Sequence, residues 1–273
     1  MVLMQTDAVA ASAPDPAPLA AALETLRARG LDLRRGSEPV AVAAPRPAVP
    51  TGHPDLDAAL GVGGWPRGAL ALLDAPSGAG ATSLALGTLA AAQAAGGLVA
   101  WLDLDGTLDP AVAARLGVSL EWLLVARPRD PGEAIELAAW LGRSGLIDAL
   151  VLDLGAGSGT VPDRRALDRL GSLLGRAGGT SALVLAPGAR AVVGAAAGVR
   201  VALHRSAWLA VGRDLVGQRI RAVVERNRWA LAGASAELDL WFGEGRRIDP
   251  LVATLAEPRA LEVERSAFRV VGA

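Results

Sequence analysis

The chain has 273 residues, no cysteine and only two histidines, His53 and His204. That composition excludes a disulfide framework, a thiolate nucleophile and a cysteine-ligated metal, and it leaves no closely spaced histidine pair for a metalloenzyme. The formal charge of −1 points by itself to neither a nucleic-acid nor a membrane partner, and the length suffices for one large α/β core.

Residues 1–17 are rich in Ala, Pro and Asp without apolar periodicity and read as a disordered tail. Leu19, Ala22, Leu23 and Leu26 recur at helical spacing, so 18–38 carries an amphipathic helix, either a cap on the chain's own core or an arm for self-association. The Pro-rich run 39–50 reads as an extended linker. A core over 51–245 and a tail over 246–273 complete the expected organisation.

Within the core, the pattern predicts strands at 69–74, 98–103, 123–125, 149–153 and 182–186, with helices at 82–95, 110–116, 131–143 and 163–176 between them. Short apolar runs alternating with helices imply a mostly parallel sheet flanked by helices on both faces. Asp74, Asp103, Asp105 and Asp153 fall at or just past strand ends, where ligands of such sheets bind. The runs 207–211, 218–225 and 236–242 predict an antiparallel C-terminal extension. The apolar stretch 84–102 is split by Gln93 and by Gly96-Gly97, so it predicts a helix and a strand and no membrane span. No signal peptide is read, and the expected compartment is the cytoplasm.

The stretch Ala75-Pro76-Ser77-Gly78-Ala79-Gly80-Ala81-Thr82-Ser83 has the layout of a phosphate-binding loop between a strand and a helix. In the pattern GxxxxGK(S/T), backbone N–H groups cradle phosphates, a lysine reaches the β and γ oxygens and a hydroxyl binds Mg²⁺. Here Ala75 stands for the first glycine, Gly80 for the second, Ala81 for the lysine and Thr82 for the hydroxyl. All 27 basic residues are arginine; a compositional bias explains few lysines, yet it does not explain losing one that chemistry requires. Hydrolysis of ATP is therefore not expected and the chain is read as no enzyme. A helix N-terminus still favours phosphate, so weak ATP and Mg²⁺ binding stays open.

Residues 51–163 resemble the ATPase core of the bacterial RecA recombinase family. The resemblance rests on TGHPDLDAALGVGGWPRG, APSGAGATS, WLDLDGTLDP, LGVSLEWLL and GEAIELAAWLGRSGLIDALVLD, with VVERNRWA and WFGEG later. It implies a RecA-like fold and, position by position, a degenerate nucleotide site. Asp105 stands for a catalytic glutamate, Asp153 for the acid that supports Mg²⁺, and Pro187-Gly188 for a γ-phosphate-sensing pair. Arg226 and Arg228 stand for two lysines that reach a neighbour's nucleotide. The damaged motifs, the Pro-rich linker and the early end after WFGEG make the chain most similar to the ImuA family. That similarity implies an accessory role in induced mutagenesis and translesion synthesis, with RecA and an error-prone DNA polymerase as partners. An ATP-dependent recombinase using Asp105 and Thr82 is the alternative, and an adaptor that merely reuses the fold is a third reading.

The degenerate site thus comprises Ala75, Gly78, Gly80, Ala81, Thr82, Ser83, Asp105 and Asp153, with no metal ligand set. A competing account of Asp103, Asp105 and Asp153 is that they bond backbone N–H groups. Between Gly188 and Trp229 eight arginines face Asp214 and Glu225; Arg205, Arg219, Arg221, Arg226 and Arg228 are the interface or single-stranded DNA candidates. Arg226 and Arg228, two apart on an expected strand, share a face. The seven tryptophans are expected mostly in the core, with Trp65 and Trp122 as the better interface candidates.

Overall fold

The apolar runs assemble into one nine-stranded sheet: β1 (Leu70–Asp74), β2 (Leu98–Asp103), β3 (Leu123–Ala126), β4 (Ile147–Asp153), β5 (Ser181–Leu185), β6 (Val199–Val211), β7 (Asp214–Asn227), β8 (Ser235–Trp241) and β9 (Arg259–Glu262). The computed structural model describes residues 48–155, 161–187, 189–211 and 213–242, and the backbone of 259–262. All of them lie in one of two compact units, Arg46–Ala273. The expected tail 1–17, the helix 18–38, the linker up to 47, Gly188 and most of the C-terminal segment lie outside the described residues.

The strand order is β3-β2-β4-β5-β1-β6-β7-β8, with β9 beside β6. Strand β6 runs parallel to β1 and antiparallel to β7, so it is the seam between the parallel sheet and its C-terminal extension. The extension is longer than expected: β6 and β7 have 13 and 14 residues. Breaks in register at Arg200/Val201 and Arg205/Ala207 interrupt period-2 alternation, which is why only fragments of these strands stand out in the sequence.

Helices α1 (Pro54–Ala59), α2 (Ala81–Ala94), α3 (Pro110–Arg115), α4 (Pro131–Ser144), α5 (Arg164–Ala177) and α6 (Arg190–Ala196) complete the fold. Asp109, Asp130 and Asp163 cap α3, α4 and α5 by accepting backbone N–H bonds, and proline opens α3 and α4 at a position whose N–H has no intrahelical partner. Helix α6 is an addition to the expected elements; its run of Ala, Val and Gly is short and has no polar cap.

Side chains alternate between two cores. Ala71, Leu73, Trp101, Val151 and Leu183 face a core that includes Leu84 and Leu89 of α2, while Leu70, Leu72, Leu102, Leu150 and Leu152 face one that includes Ile135 of α4, Leu167 and Leu174 of α5, and Val193 of α6. Double-sided burial accounts for continuous apolar strands.

Trp65 corrects one expectation. It is fully buried and cannot serve as an interface residue. Its backbone pairs with Val49 through N–H···O bonds of 2.9 and 2.7 Å, so the end of the Pro-rich run belongs to the core. Its Nε1 donates to Thr88 Oγ1 (3.1 Å), whose hydroxyl donates to the Thr51 carbonyl (3.1 Å). Trp122 and Trp140 are each 61 % exposed and Trp229 44 %, while Trp208 and Trp241 are half-buried. Only Trp65 and Trp101 are core tryptophans; Trp140 lies on the exposed side of α4, and Trp122 and Trp229 lie outside the strands and α-helices.

Replacing Thr88 by valine leaves the Trp65 indole N–H without an acceptor inside the core. The expected cost is about 1–3 kcal/mol, read as a lower urea midpoint with an unchanged slope; an unshifted midpoint removes the network from the account of stability.

Candidate functional site

The loop 75–80 leaves the end of β1 and enters α2 beside the ends of β4 and β5, at the carboxyl edge of the parallel sheet. Gly78 and Gly80 have φ of 74° and 91°, values that favour glycine. Gly80 has a second reason to lack a side chain: a Cβ there would overlap Leu240 Cδ1 and lie 3.0 Å from Gln218 Nε2. Strands β7 and β8 therefore close directly over the loop. Gly80 caps α2 without a side-chain acceptor, and Ala81, Thr82 and Ser83 line a cavity of about 480 Å³.

All eight residues of the expected site line this one cavity: Ala75, Gly78, Gly80, Ala81, Thr82, Ser83, Asp105 and Asp153. Thr107, Pro187, Gln218 and Phe242 line it too. Gln218 and Phe242 carry no motif, and nothing in the local sequence marks them. Among the described lining residues the ionisable ones are Asp105 and Asp153, and none is basic.

Asp153 is buried and accepts from the Gly155 N–H at 3.1 Å. Burial pushes its carboxyl up to about 6; the Gly155 N–H opposes this, while the negative charges of Asp103 and Asp105 add to it. Asp103 turns away from the cavity and accepts from the backbone N–H groups of Thr107 (2.9 Å) and Leu108 (3.1 Å), which fixes the turn after β2. Asp74 pairs with Arg190 at 2.8 Å. Of the four strand-end acids, Asp105 and Asp153 thus face the cavity and the other two are structural.

The arginine candidates separate. Arg219 forms a two-point pair with Asp239 (2.7 and 2.9 Å) across β7 and β8, and Arg221 lies opposite Glu237 and donates to Ser235 Oγ at 3.4 Å. Arg226 does not share a free face with Arg228. It donates to the carbonyls of Gly194 (3.3 Å) and Ala195 (3.2 Å) in α6, while Arg228 lies past the end of β7 and is exposed. Arg205 donates through Nε to Gln218 Oε1 (2.7 Å) and through Nη2 to the Gly78 carbonyl, with its guanidinium 4.0 Å from the Trp208 ring centroid. An open groove of about 870 Å³ on the outer side of the loop is lined by Ser77, His204, Arg205, Ser206 and Arg221, without a carboxylate among the described lining residues.

A strand, a glycine turn and a helix at the carboxyl edge of a parallel sheet place the chain in the phosphate-loop class of α/β folds. The RecA N-terminal domain family matches residues 38–165. Protein RecA of Mycobacterium sp. (strain KMS) is 33 % identical over 257 residues, covering 82 % of this chain and 73 % of its own. Protein RecA of Thermus thermophilus is 34 % identical over 237 residues, covering 74 % and 68 %. The crystal structure of the RadB recombinase superposes with a TM-score of 0.52 at 20 % identity, covering 70 % of this chain and 95 % of that one, which is a likeness of fold. The chain belongs to the RecA family. Among the described residues no helix is long and apolar enough to cross a membrane, and no cluster of His, Cys, Asp and Glu fits a metal ion.

Because the folded Asp153 carboxyl titrates above its unfolded value, its ionisation between about pH 4 and 6 costs stability, which is present at low pH and lost as pH rises. Asp153→Asn keeps an acceptor for Gly155 and removes the charge. Thermal melts are expected to show the variant more stable than the parent at pH 7.5, by on the order of 1–2 kcal/mol. The difference closes towards pH 4; an equal difference at both pH values contradicts the assignment.

Proposed function

We propose that this RecA-family chain is a cytoplasmic, non-catalytic accessory protein of the DNA damage response, acting in translesion synthesis as the ImuA family does. Its partners are RecA and an error-prone DNA polymerase, with single-stranded DNA contacted through the groove at Arg205 and Arg221. One observation carries the reading: alanine stands at position 81, in a cavity whose described walls hold two carboxylates and no cation. Phosphoryl transfer depends on positive charge placed against the transferring group, and even one stabilising donor contributes about 3–4 kcal/mol. The acids that remain repel a triphosphate. Pro187 in the wall, at the place that the resemblance gives to a phosphate-sensing side chain, supports the same reading.

The alternative, an ATP-dependent recombinase, draws on the hydroxyls of Thr82 and Ser83 at the open start of α2 and on the similarity to RecA proteins. Titration with mant-ATP and Mg²⁺, with phosphate release measured on the same protein, separates the two. The expected result is no turnover and no saturable binding in the micromolar range; turnover that disappears in Asp105→Ala establishes the alternative. Affinity capture from DNA-damaged cells is expected to recover RecA and an error-prone polymerase. Capture of neither in repeated trials leaves the chain an adaptor of another process.

A further inference from the structure

We infer that Arg205 couples the outer groove to the loop 75–83, so that a phosphodiester of single-stranded DNA entering the groove releases the loop. This rests on the reading of that groove as a DNA contact.

Arg205 sits at the break in register between β6 and β7, a place where a bulge re-aims a side chain. Its guanidinium is held by Gln218 Oε1, by the face of Trp208 and by the Gly78 carbonyl. All three partners are neutral. Arg67, Arg190, Arg200 and Arg219 each meet a carboxylate; among the described residues Arg205 meets none. Its charge therefore meets no carboxylate among the described residues, in a groove that Arg221, His204, Ser77 and Ser206 also line, while Glu237, opposite Arg221 and 3.3 Å from Ser206 Oγ, offsets the charge of Arg221.

A phosphate oxygen is a charged acceptor. A guanidinium pairs more strongly with an oxyanion than with a neutral carbonyl, because both groups then carry charge, and its planar fork favours two-point pairing. Phosphate in the groove thus competes with the Gly78 carbonyl for the same fork. Two features make the loop respond. Gly78 holds its carbonyl towards Arg205 from a φ of 74° and, lacking a side chain, leaves that conformation readily once the tether is lost. Pro76 and Ser77 line both the groove and the loop cavity, so movement of the loop reshapes both. Gln218, nearly fully buried, touches the Gly80 position as well as Arg205 Nε and provides a second path for the same signal.

Hydrogen exchange of the 75–83 amides in the full chain, with anisotropy of a labelled oligo(dT) on the same samples, tests this. On saturation with DNA the loop amides are expected to exchange about fivefold faster. Arg205→Ala is expected to show that faster exchange without DNA. Arg221→Ala is expected to weaken DNA binding and leave the DNA-free loop at the parent rate. If Arg205→Ala does not fold, Arg205→Gln, which keeps neutral donors near the loop, serves in its place with a smaller acceleration. DNA binding with unchanged or slowed loop exchange overturns the coupling and leaves the DNA contact standing. No binding of the oligonucleotide overturns the DNA contact and the coupling with it. Parent-like exchange in a folded Arg205→Ala shows that the guanidinium holds nothing and overturns the coupling alone.

Discussion

The close approach at Gly80 is the constraint on which the rest of the site depends. With φ at 91° and the Leu240 and Gln218 side chains against it, this residue lets β7 and β8 lie on the start of α2. Any larger residue pushes the antiparallel extension away from the loop, because the obstruction includes a packed core leucine. The cavity walls at Gln218 and Phe242, the orientation of Arg205 and the edge contact of Phe242 with Trp208 (6.2 Å between ring centroids) all need that approach. One glycine therefore joins the parallel half of the sheet to the half that carries the arginines.

The parallel half was legible because its signals are local. Leu98–Asp103 and Ile147–Asp153 are short apolar runs buried on both faces, and each caps at a carboxylate whose position follows from the strand end. The loop residues are contiguous, so their convergence on one cavity needs only the strand–turn–helix geometry. Asp105 and Asp153 join them because β2 and β4 are neighbours in register, with Asp103 opposite Asp153.

The antiparallel half was legible only in outline, for a physical reason. Its bulges shift side chains between faces, and β7 ends at Asn227, so period-2 counting carried past that end misplaces Arg228 relative to Arg226. The fate of a charge there is set by the strand opposite: Arg219 meets Asp239 and Arg221 faces Glu237, acids some 16 to 20 positions later in the chain. A count of arginines over 188–229 leaves these acids out and overstates the positive field. Trp65 was misjudged for a related reason, since its glycine-rich surroundings look like a surface turn while its partners, Thr88 and Val49, come from distant segments.

The arginines that remain form a pattern with consequences for the loop. Arg190 holds Asp74, the last residue of β1, and Arg205 holds the Gly78 carbonyl four residues on. Arg226 holds the carbonyl end of α6, the helix that Arg190 begins, which is the end of a helix that attracts a cation. Positive charge is thus present around the loop, yet it is applied from outside, to a carboxylate and to carbonyl oxygens, and not within the cavity to an oxyanion. A lysine at position 81 would place its cation inside, where Asp105 and Asp153 stand without a described basic neighbour in the wall. Ala81 adds no cation there, and the raised titration of Asp153 comes first from its burial, with the negative charges of Asp103 and Asp105 adding to it. Loop shape and loop charge are therefore supplied by different residues in this chain: Gly78, Gly80 and the external arginines account for the shape without requiring a bound phosphate, while the ionisable side chains among the described cavity walls are Asp105 and Asp153.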